Sequence, residues 1–306
     1  MPNQTGIRRQ IPGVWTDPAL RPDRIREATV GAGVPRNRKV LRMADFDAKL
    51  DVFRQWQATP WGRLRYAVAA ANLARHLPTG SSLRVLDVGG GNGLDALGLA
   101  AQGHHVTIAD ISEPALRAAR VLAREHDVAD RILTRQVAAD ALVDAFGAGT
   151  FDVVLCHNVV QYVAEPVALL RHSRGVVSRA GIVSVIAPNA DADPLITAVR
   201  SHDLDLALDQ IGSPTRHTAT YDTLVRACYA DRTEDDMGEA GLKVLAHYGI
   251  RSVCDLIVED ELKADPRFYD WLERLETVLA VRPAYRATAR FFHLIAVPAR
   301  GEQAAG

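Results

Sequence analysis

Arg84-Val-Leu-Asp-Val-Gly-Gly-Gly-Asn-Gly93 is the stretch whose reading decides the fold. Its first five residues predict a strand, and Leu94–Ala101 predicts a helix, so the glycines between them form a strand-to-helix bend. Glycine permits backbone angles and a closeness of approach that a Cβ blocks, so a ligand can lie against bare main chain there. Gly89, Gly91 and Gly93 fit D-x-G-x-G-x-G with Asp87 leading. In an open α/β sheet such a bend stands at the carboxyl edge of the first strand, near the point where the strand order reverses.

Outward from the bend, short β-rich runs at 105–109, 132–137, 151–156 and 181–186 are separated by helical stretches such as 114–125. Strands alternating with helices of this length predict βαβ units and a parallel sheet covered on both faces. Upstream, Phe46, Leu50, Phe53 and Trp56 share one apolar helical face, Thr59-Pro60-Trp61-Gly62 breaks it, and a second helix is expected over 63–77. Residues 190–236 carry ten acids against four arginines, a net of −6, and are expected to form a mostly helical insertion, or lid, above the sheet edge. A helix over 239–247, a strand over 249–258, a helix over 267–280 and a strand over Phe291–Pro298 complete the expectation. The fold class is α/β: a Rossmann-like, doubly wound, seven-stranded sheet whose last strand is an antiparallel hairpin partner.

At 306 residues, 48% hydrophobic and 24% charged, the chain can bury a core without disulfides or structural metal. No apolar stretch approaches the ~18 residues of a membrane helix, and the first residues do not read as a secretory signal. Cys156, Cys228 and Cys254 form no C-x-x-C pair, which points to a reducing, cytoplasmic setting and no structural zinc. Asp203, Asp205 and Asp209 have no accompanying histidines, so no metal is expected. Residues 1–44 hold nine Arg/Lys, three acids and five of the fifteen prolines: a basic, proline-rich arm of net +6, either a solvated tail or an anion-binding one. The oligomeric state is not legible.

The second signal is His105-Val-Thr-Ile-Ala-Asp110, a strand ending in an acid 17 residues after Gly93. A carboxylate placed there can accept from both hydroxyls of an adenosine ribose. Gly91-Asn-Gly93-Leu-Asp-Ala96 also satisfies the looser G-x-G-x-x-A of dinucleotide sites, so an NAD-dependent oxidoreductase is the competing class. Two acids oppose a pyrophosphate: Asp95 in the first helical turn and Asp87 at the strand end.

VLDVGGGNG, VTIADIS, Ala138-Ala139-Asp140 and FDVVLCHNVVQYV resemble motifs I to IV of class I S-adenosylmethionine-dependent methyltransferases, in order and spacing. The resemblance covers about residues 50–300 and extends to Gly62-Arg-Leu-Arg65, Gly249-Ile-Arg251-Ser-Val-Cys-Asp255, and Tyr285 with Arg290 and His293. Within that family the chain is similar to the bacterial tRNA 5-carboxymethoxyuridine methyltransferase group. The resemblance implies S-adenosyl-L-methionine as cofactor and S-adenosylhomocysteine as product. It places Arg65 on the cofactor carboxylate and Asp87 near its amine, with Gly89, Gly90, Gly91 and Gly93 as the cradle. Asp110 and Ile111 lie at the ribose, Ala138 and Ala139 flank the adenine, Asp140 meets its N6 amine, and His157 borders the sulfonium. It assigns 45–80 to helices that cover the cofactor and 81–306 to the core with its lid. Asn158, Gln161, Tyr162, Arg251, Tyr285 and Arg290 are candidates for the acceptor pocket. His157 is the first candidate base and Tyr162 the second.

The acceptor divides two readings. RNA-acting members of the resembling group carry a lysine-rich stretch in the insertion, whereas this chain has Ile211-Gly-Ser-Pro-Thr-Arg-His-Thr-Ala-Thr220 within an acidic segment. Gln161 stands where the group has Glu, and Tyr162 where it has Trp. Phosphate affinity grows with Lys/Arg contacts, so an acidic lid disfavours tRNA and favours a small-molecule acceptor, in specialised metabolism. The basic arm keeps tRNA as the alternative, and a non-methylating use of the cofactor ranks below it.

Overall fold

The computed structural model describes residues 49–218 and 223–299; the basic arm of residues 1–44 lies outside them. Helix α1 spans Leu50–Ala58 and α2 spans Pro60–Ala74. The Thr59 hydroxyl accepts from the Gly62 N–H and Pro60 takes the first helical position, so the segment read as a break is the start of α2. A threonine before a proline is an N-cap signal, which moves the start three residues upstream of the expected one.

Then follow β1 (Arg84–Val88), α3 (Leu94–Ala101), β2 (His105–Asp110), α4 (Glu113–Glu125), β3 (Ile132–Gln136), α5 (Leu142–Phe146), β4 (Phe151–His157), α6 (Pro166–Val176) and β5 (Val177–Pro188). The insertion contains α7 (Asp193–Arg200), α8 (Leu204–Gln210) and an antiparallel ribbon of β6 (Thr215–Thr218) and β7 (Thr223–Arg226). The insertion is mostly helical, as expected, but it also holds this ribbon, where threonine-rich, β-branched stretches pair.

Helix α9 (Ala230–Glu239) and strand β8 (Leu242–Ile250) replace the expected helix over 239–247 and strand over 249–258. Gly241, at φ +79°, stops α9 in the left-handed conformation that suits glycine just past a helix end. Helix α10 (Pro266–Leu279), the short α11 (Pro283–Arg286) and β9 (Phe291–Pro298) end the chain's regular structure.

The main sheet has seven strands in the order β3-β2-β1-β4-β5-β9-β8. Strands β1 to β5 are parallel, and β9 runs antiparallel between β5 and β8. The order reverses between β1 and β4, so the carboxyl ends of these strands flank a crevice. Side chains alternate across the sheet. Val154, Cys156, Val183 and Val185 pack with Leu169, Leu170 and Met237 on one face, while Val106, Ile108, Val153 and Leu155 pack with Leu97 and Leu116 on the other. A third cluster joins Leu64 and Val68 of α2 to Ile186, Ile250 and Leu272. Each such side chain contributes about 1.5–3 kcal/mol on burial, which holds α2 over the carboxyl edge.

Candidate cofactor and acceptor site

The bend after β1 is fastened by main chain and by one acid. The Gly89 N–H donates to the Ala109 carbonyl at 2.7 Å. Gly89 has φ +64°, and a Cβ there would stand 2.7 Å from Val159 Cγ2, so backbone angle and close packing both require glycine. Gly91, at φ +55°, has nothing within 4 Å of where a Cβ would lie, so the bend is open at that point. Asp110 Oδ2 accepts from the Gly91 N–H at 2.9 Å and Oδ1 from the Ser112 N–H at 2.8 Å. The acid expected at the ribose thus also orients the glycine loop. From the other side Gln57 and Asn92 exchange two hydrogen bonds, of 2.7 and 3.0 Å, and Gln57 also donates to the Tyr66 hydroxyl. No local pattern revealed this pair, because its partners are 35 residues apart.

Asp87, Asp95, Arg65 and His157 converge at the mouth of the bend. Asp87 is 1% exposed and its Oδ2 has no hydrogen-bond partner. Burial, then the charges of Asp95 and Asp110, raise its pKa well above the carboxylate range, with Arg65 opposing. Arg65 Nη1 donates to both oxygens of Asp95 at 2.6 Å, while its Nε is buried without a partner. Burial works against ionised Asp95, yet Arg65 and His157 hold its pKa below the usual range. The Asp95 charge is matched by Arg65, so the repulsion of a pyrophosphate inferred from sequence is weaker than expected.

His157 Nδ1 stands 3.2 Å from Asp95 Oδ1, and Nε2 stands 2.8 Å from Ser184 Oγ. Burial lowers its pKa. Both ring nitrogens face protein groups, and the side chain is 3% exposed, so this geometry does not support the expected role of base. Tyr162 is no better suited. Burial raises its pKa, with Gln161, Thr218 and the Arg216 charge opposing.

The remaining expected cofactor positions line the β2 and β3 ends. Ile111 is 43% exposed, and its carbonyl accepts from Gln136 Nε2. Ala138 and Asp140 are exposed at the turn after β3 and Ala139 is half-buried. Asn158 follows β4 at φ +58°, a left-handed conformation that asparagine tolerates, and its N–H donates to the Ile186 carbonyl at 2.7 Å.

Arginines gather at the same edge beyond β5. Arg216 on β6 donates to Asp193 through Nε and Nη2, at 2.9 and 2.8 Å, and Arg290 Nη1 donates to the same carboxylate at 2.7 Å. Arg251, left-handed at φ +62°, pairs with Asp255 through Nε and Nη2, and its carbonyl accepts from the Arg290 N–H. Burial and then the Arg216 guanidinium press the Arg290 pKa down. Glu276, fully buried, accepts from the N–H groups of Ser252, Val253 and Cys254 and so fixes the turn that presents Arg251. Arg251 and Arg290 were expected here; Arg216, Asp193 and Glu276 were not, since their partners lie 22 to 97 residues away. Tyr285 is 47% exposed on α11, outside these contacts.

The chain is similar in sequence and fold to known methyltransferases. Residues 86–185 match the model of the methyltransferase domain family. The chain is 28% identical over 261 residues to the tRNA 5-carboxymethoxyuridine methyltransferase of Escherichia coli (strain K12), covering 82% of this chain and 95% of that protein. It is 37% identical over 116 residues to a ubiquinone biosynthesis O-methyltransferase of Caulobacter sp. (strain K31), covering 38% of this chain and 45% of the relative. Two solved structures share the fold. Magnesium protoporphyrin IX methyltransferase from Synechocystis PCC 6803 has a TM-score of 0.56 at 15% identity, over 84% of this chain and 98% of that one. Burkholderia thailandensis 1,6-didemethyltoxoflavin-N1-methyltransferase has a TM-score of 0.54 at 16% identity, over 84% and 87%. Residues 86–185 carry a methyltransferase domain and the fold is the one that class I methyltransferases share, which together with the glycine bend supports an S-adenosylmethionine-dependent methyltransferase. Its cofactor is S-adenosyl-L-methionine. Among the described residues no helix is long and apolar enough to cross a membrane.

Proposed function

We propose that the chain methylates a small-molecule acceptor bearing an anionic group, a use that suits specialised metabolism. The carrying observation is the cluster of Arg216, Arg251 and Arg290 against two carboxylates, Asp193 and Asp255, at the carboxyl edge of the sheet. Arg216 and Arg290 share the single Asp193 carboxylate, in a place where burial and then the Arg216 charge already disfavour the Arg290 cation. A planar, fork-shaped donor set of this kind suits a carboxylate or another oxyanion. The acidic insertion beside it, net −6 over residues 190–236, opposes a polyanion far more than a single anionic group.

The residues at the bend fit the cofactor. Asp87 offers a buried acceptor to a cationic amine, and Arg65 Nε a buried donor to a carboxylate. In this reading Asp110 accepts from the ribose hydroxyls, since a carboxylate oxygen accepts more than one hydrogen bond. Ile111, Ala138, Ala139 and Asp140 border the base, and α1 and α2 cover the pocket. When bound, S-adenosylmethionine supplies a methyl group on a sulfonium whose departing thioether is an excellent leaving group. The chain's own contribution is orientation and exclusion of water, which can remove about 7–11 kcal/mol of a barrier. An anionic oxygen nucleophile needs no base, which agrees with the places of His157 and Tyr162.

A transfer screen against carboxylated small molecules and their amides tests this. Turnover is expected for the carboxylates alone, with Arg216→Gln and Arg290→Gln raising KM at least about tenfold, the worth of a charge-assisted hydrogen bond, and S-adenosylhomocysteine affinity unchanged. Equal turnover of the amides contradicts the proposal.

The 28% identity to the Escherichia coli tRNA enzyme, over 82% of this chain, favours a second reading: methylation of a wobble-uridine carboxylate. Salt-titrated tRNA binding separates the two. Micromolar or tighter binding at physiological salt, lost when residues 1–44 are deleted, selects tRNA.

A further inference from the structure

Beneath α2 a row of polar side chains crosses the sheet away from the glycine bend. Registers of β4, β5, β9 and β8 align His157, Ile186, His293 and Tyr248 in one row. Ser184, two residues before Ile186, joins the two histidines: its Oγ is 2.8 Å from His157 Nε2 and 2.8 Å from His293 Nε2. Ser184 and His293 are both fully buried, and the two imidazole rings meet edge to face at 5.6 Å.

Hydrogen counting gives this row a direction. Asp95, ionised and held by Arg65, can only accept; His157 Nδ1 lies 3.2 Å from it, a close contact short of an aligned hydrogen bond, and the carboxylate charge favours the hydrogen on that nitrogen. A neutral His157 then offers a lone pair at Nε2, which takes the single hydroxyl hydrogen of Ser184. The Ser184 oxygen must accept its second bond, so His293 donates from Nε2. That leaves a lone pair on His293 Nδ1, which, like His157 Nδ1, makes no hydrogen bond among the described residues. Burial keeps both rings neutral, lowering the pKa of His157 and pressing that of His293 well below its ordinary value.

We propose that Ser184 and His293 are positioning residues for the cofactor clamp: they hold His157 as the Nδ1–H tautomer, and through Asp95 they fix the Arg65 guanidinium. The opposite tautomer would set an imidazole lone pair against the Asp95 carboxylate and loosen its grip on Arg65. The inference rests on the proposed role of Arg65 toward the cofactor carboxylate.

Two measurements test it on the full chain. Long-range proton–nitrogen NMR of the wild-type protein is expected to show hydrogen on His157 Nδ1 and on His293 Nε2; hydrogen on His157 Nε2 overturns the proposal. In calorimetry, Ser184→Ala is expected to weaken S-adenosylhomocysteine about fivefold to tenfold, the worth of one hydrogen bond. Methylthioadenosine, which lacks the amino-acid group, should bind unchanged, and Ser184→Thr should restore affinity. In an Arg65→Lys background the Ser184→Ala loss should disappear; full additivity, or equal loss for both ligands, overturns the inference. If Arg65→Lys itself weakens both ligands equally, the Arg65 reading fails, and the inference falls with it.

Discussion

Arg65 on α2 and Asp95 on α3 are joined by two hydrogen bonds of 2.6 Å, both from Nη1, with the guanidinium 1% exposed and the carboxylate 16% exposed. The pair fastens the helix that covers the carboxyl edge to the first turn after the glycine bend. Removing one partner of a buried pair strands the other charge, a loss of about 3–5 kcal/mol in a fully dry site and less where water reaches one side. Asp95→Asn is therefore expected to lower stability by about 2–4 kcal/mol, and chemical denaturation checks it. A change below about 0.5 kcal/mol, the surface-pair range, would show that the pair does not secure α2.

Asp87 is expected to make cofactor binding depend on pH. Its native pKa is raised by burial and by Asp95 and Asp110, so without ligand the folded protein holds this proton more tightly than the unfolded chain does. Stability from this group is present below the unfolded value of about 3.9 and is lost as pH rises toward the raised native value. A cationic amine needs the ionised form, so S-adenosylhomocysteine should bind more tightly as pH rises through that value and should release a proton. Calorimetry in buffers of different ionisation heat measures the release. Asp87→Asn should abolish the linkage, weaken binding, and stabilise the ligand-free protein by about 1–3 kcal/mol, the scale of an unpaired buried polar group. A ligand affinity independent of pH in the wild type would exclude Asp87 as the partner of the amine.

At Gly89 both angle and space are restricted. The left-handed conformation alone costs an alanine about 1–2 kcal/mol, and its Cβ would meet Val159 Cγ2 at 2.7 Å. Gly89→Ala should lower the melting temperature and reduce S-adenosylhomocysteine affinity. Retained affinity at full stability would mean that the bend can move without consequence for the ligand.

Asp110→Ala removes the acceptor of the Gly91 and Ser112 N–H groups as well as the proposed ribose contact. Binding of S-adenosylhomocysteine should weaken by about 1–3 kcal/mol. Adenosine, which keeps the ribose, should lose affinity in parallel. A loss for one ligand and not the other would place the ribose elsewhere.

Much of this architecture was legible in the sequence because local signals carried it. The glycines after β1, the alternation of strand and helix, and the acid ending β2 each announce themselves within a few residues. Strand β8 was misread for a physical reason: its register shifts between Val244 and Ala246, where Leu245 is 54% exposed, so the period-two alternation breaks inside the strand and imitates a helix. The β6–β7 ribbon was missed because charge, and not the threonine pattern, guided the reading of the insertion. Arg216, Asp193, Ser184 and the Gln57–Asn92 pair were invisible because each acquires its meaning from a partner distant in the chain. The candidate base His157 was placed correctly at the end of β4, but only packing shows that both its nitrogens face inward.

A crystal structure with S-adenosylhomocysteine tests the central claim most directly. The account predicts the ligand against the main chain of residues 89–91, its ribose hydroxyls within hydrogen-bond reach of Asp110, its amine at Asp87 and its carboxylate at Arg65. A ligand lying elsewhere, or a bend closed by Val159 and its neighbours with the ligand excluded, would contradict it.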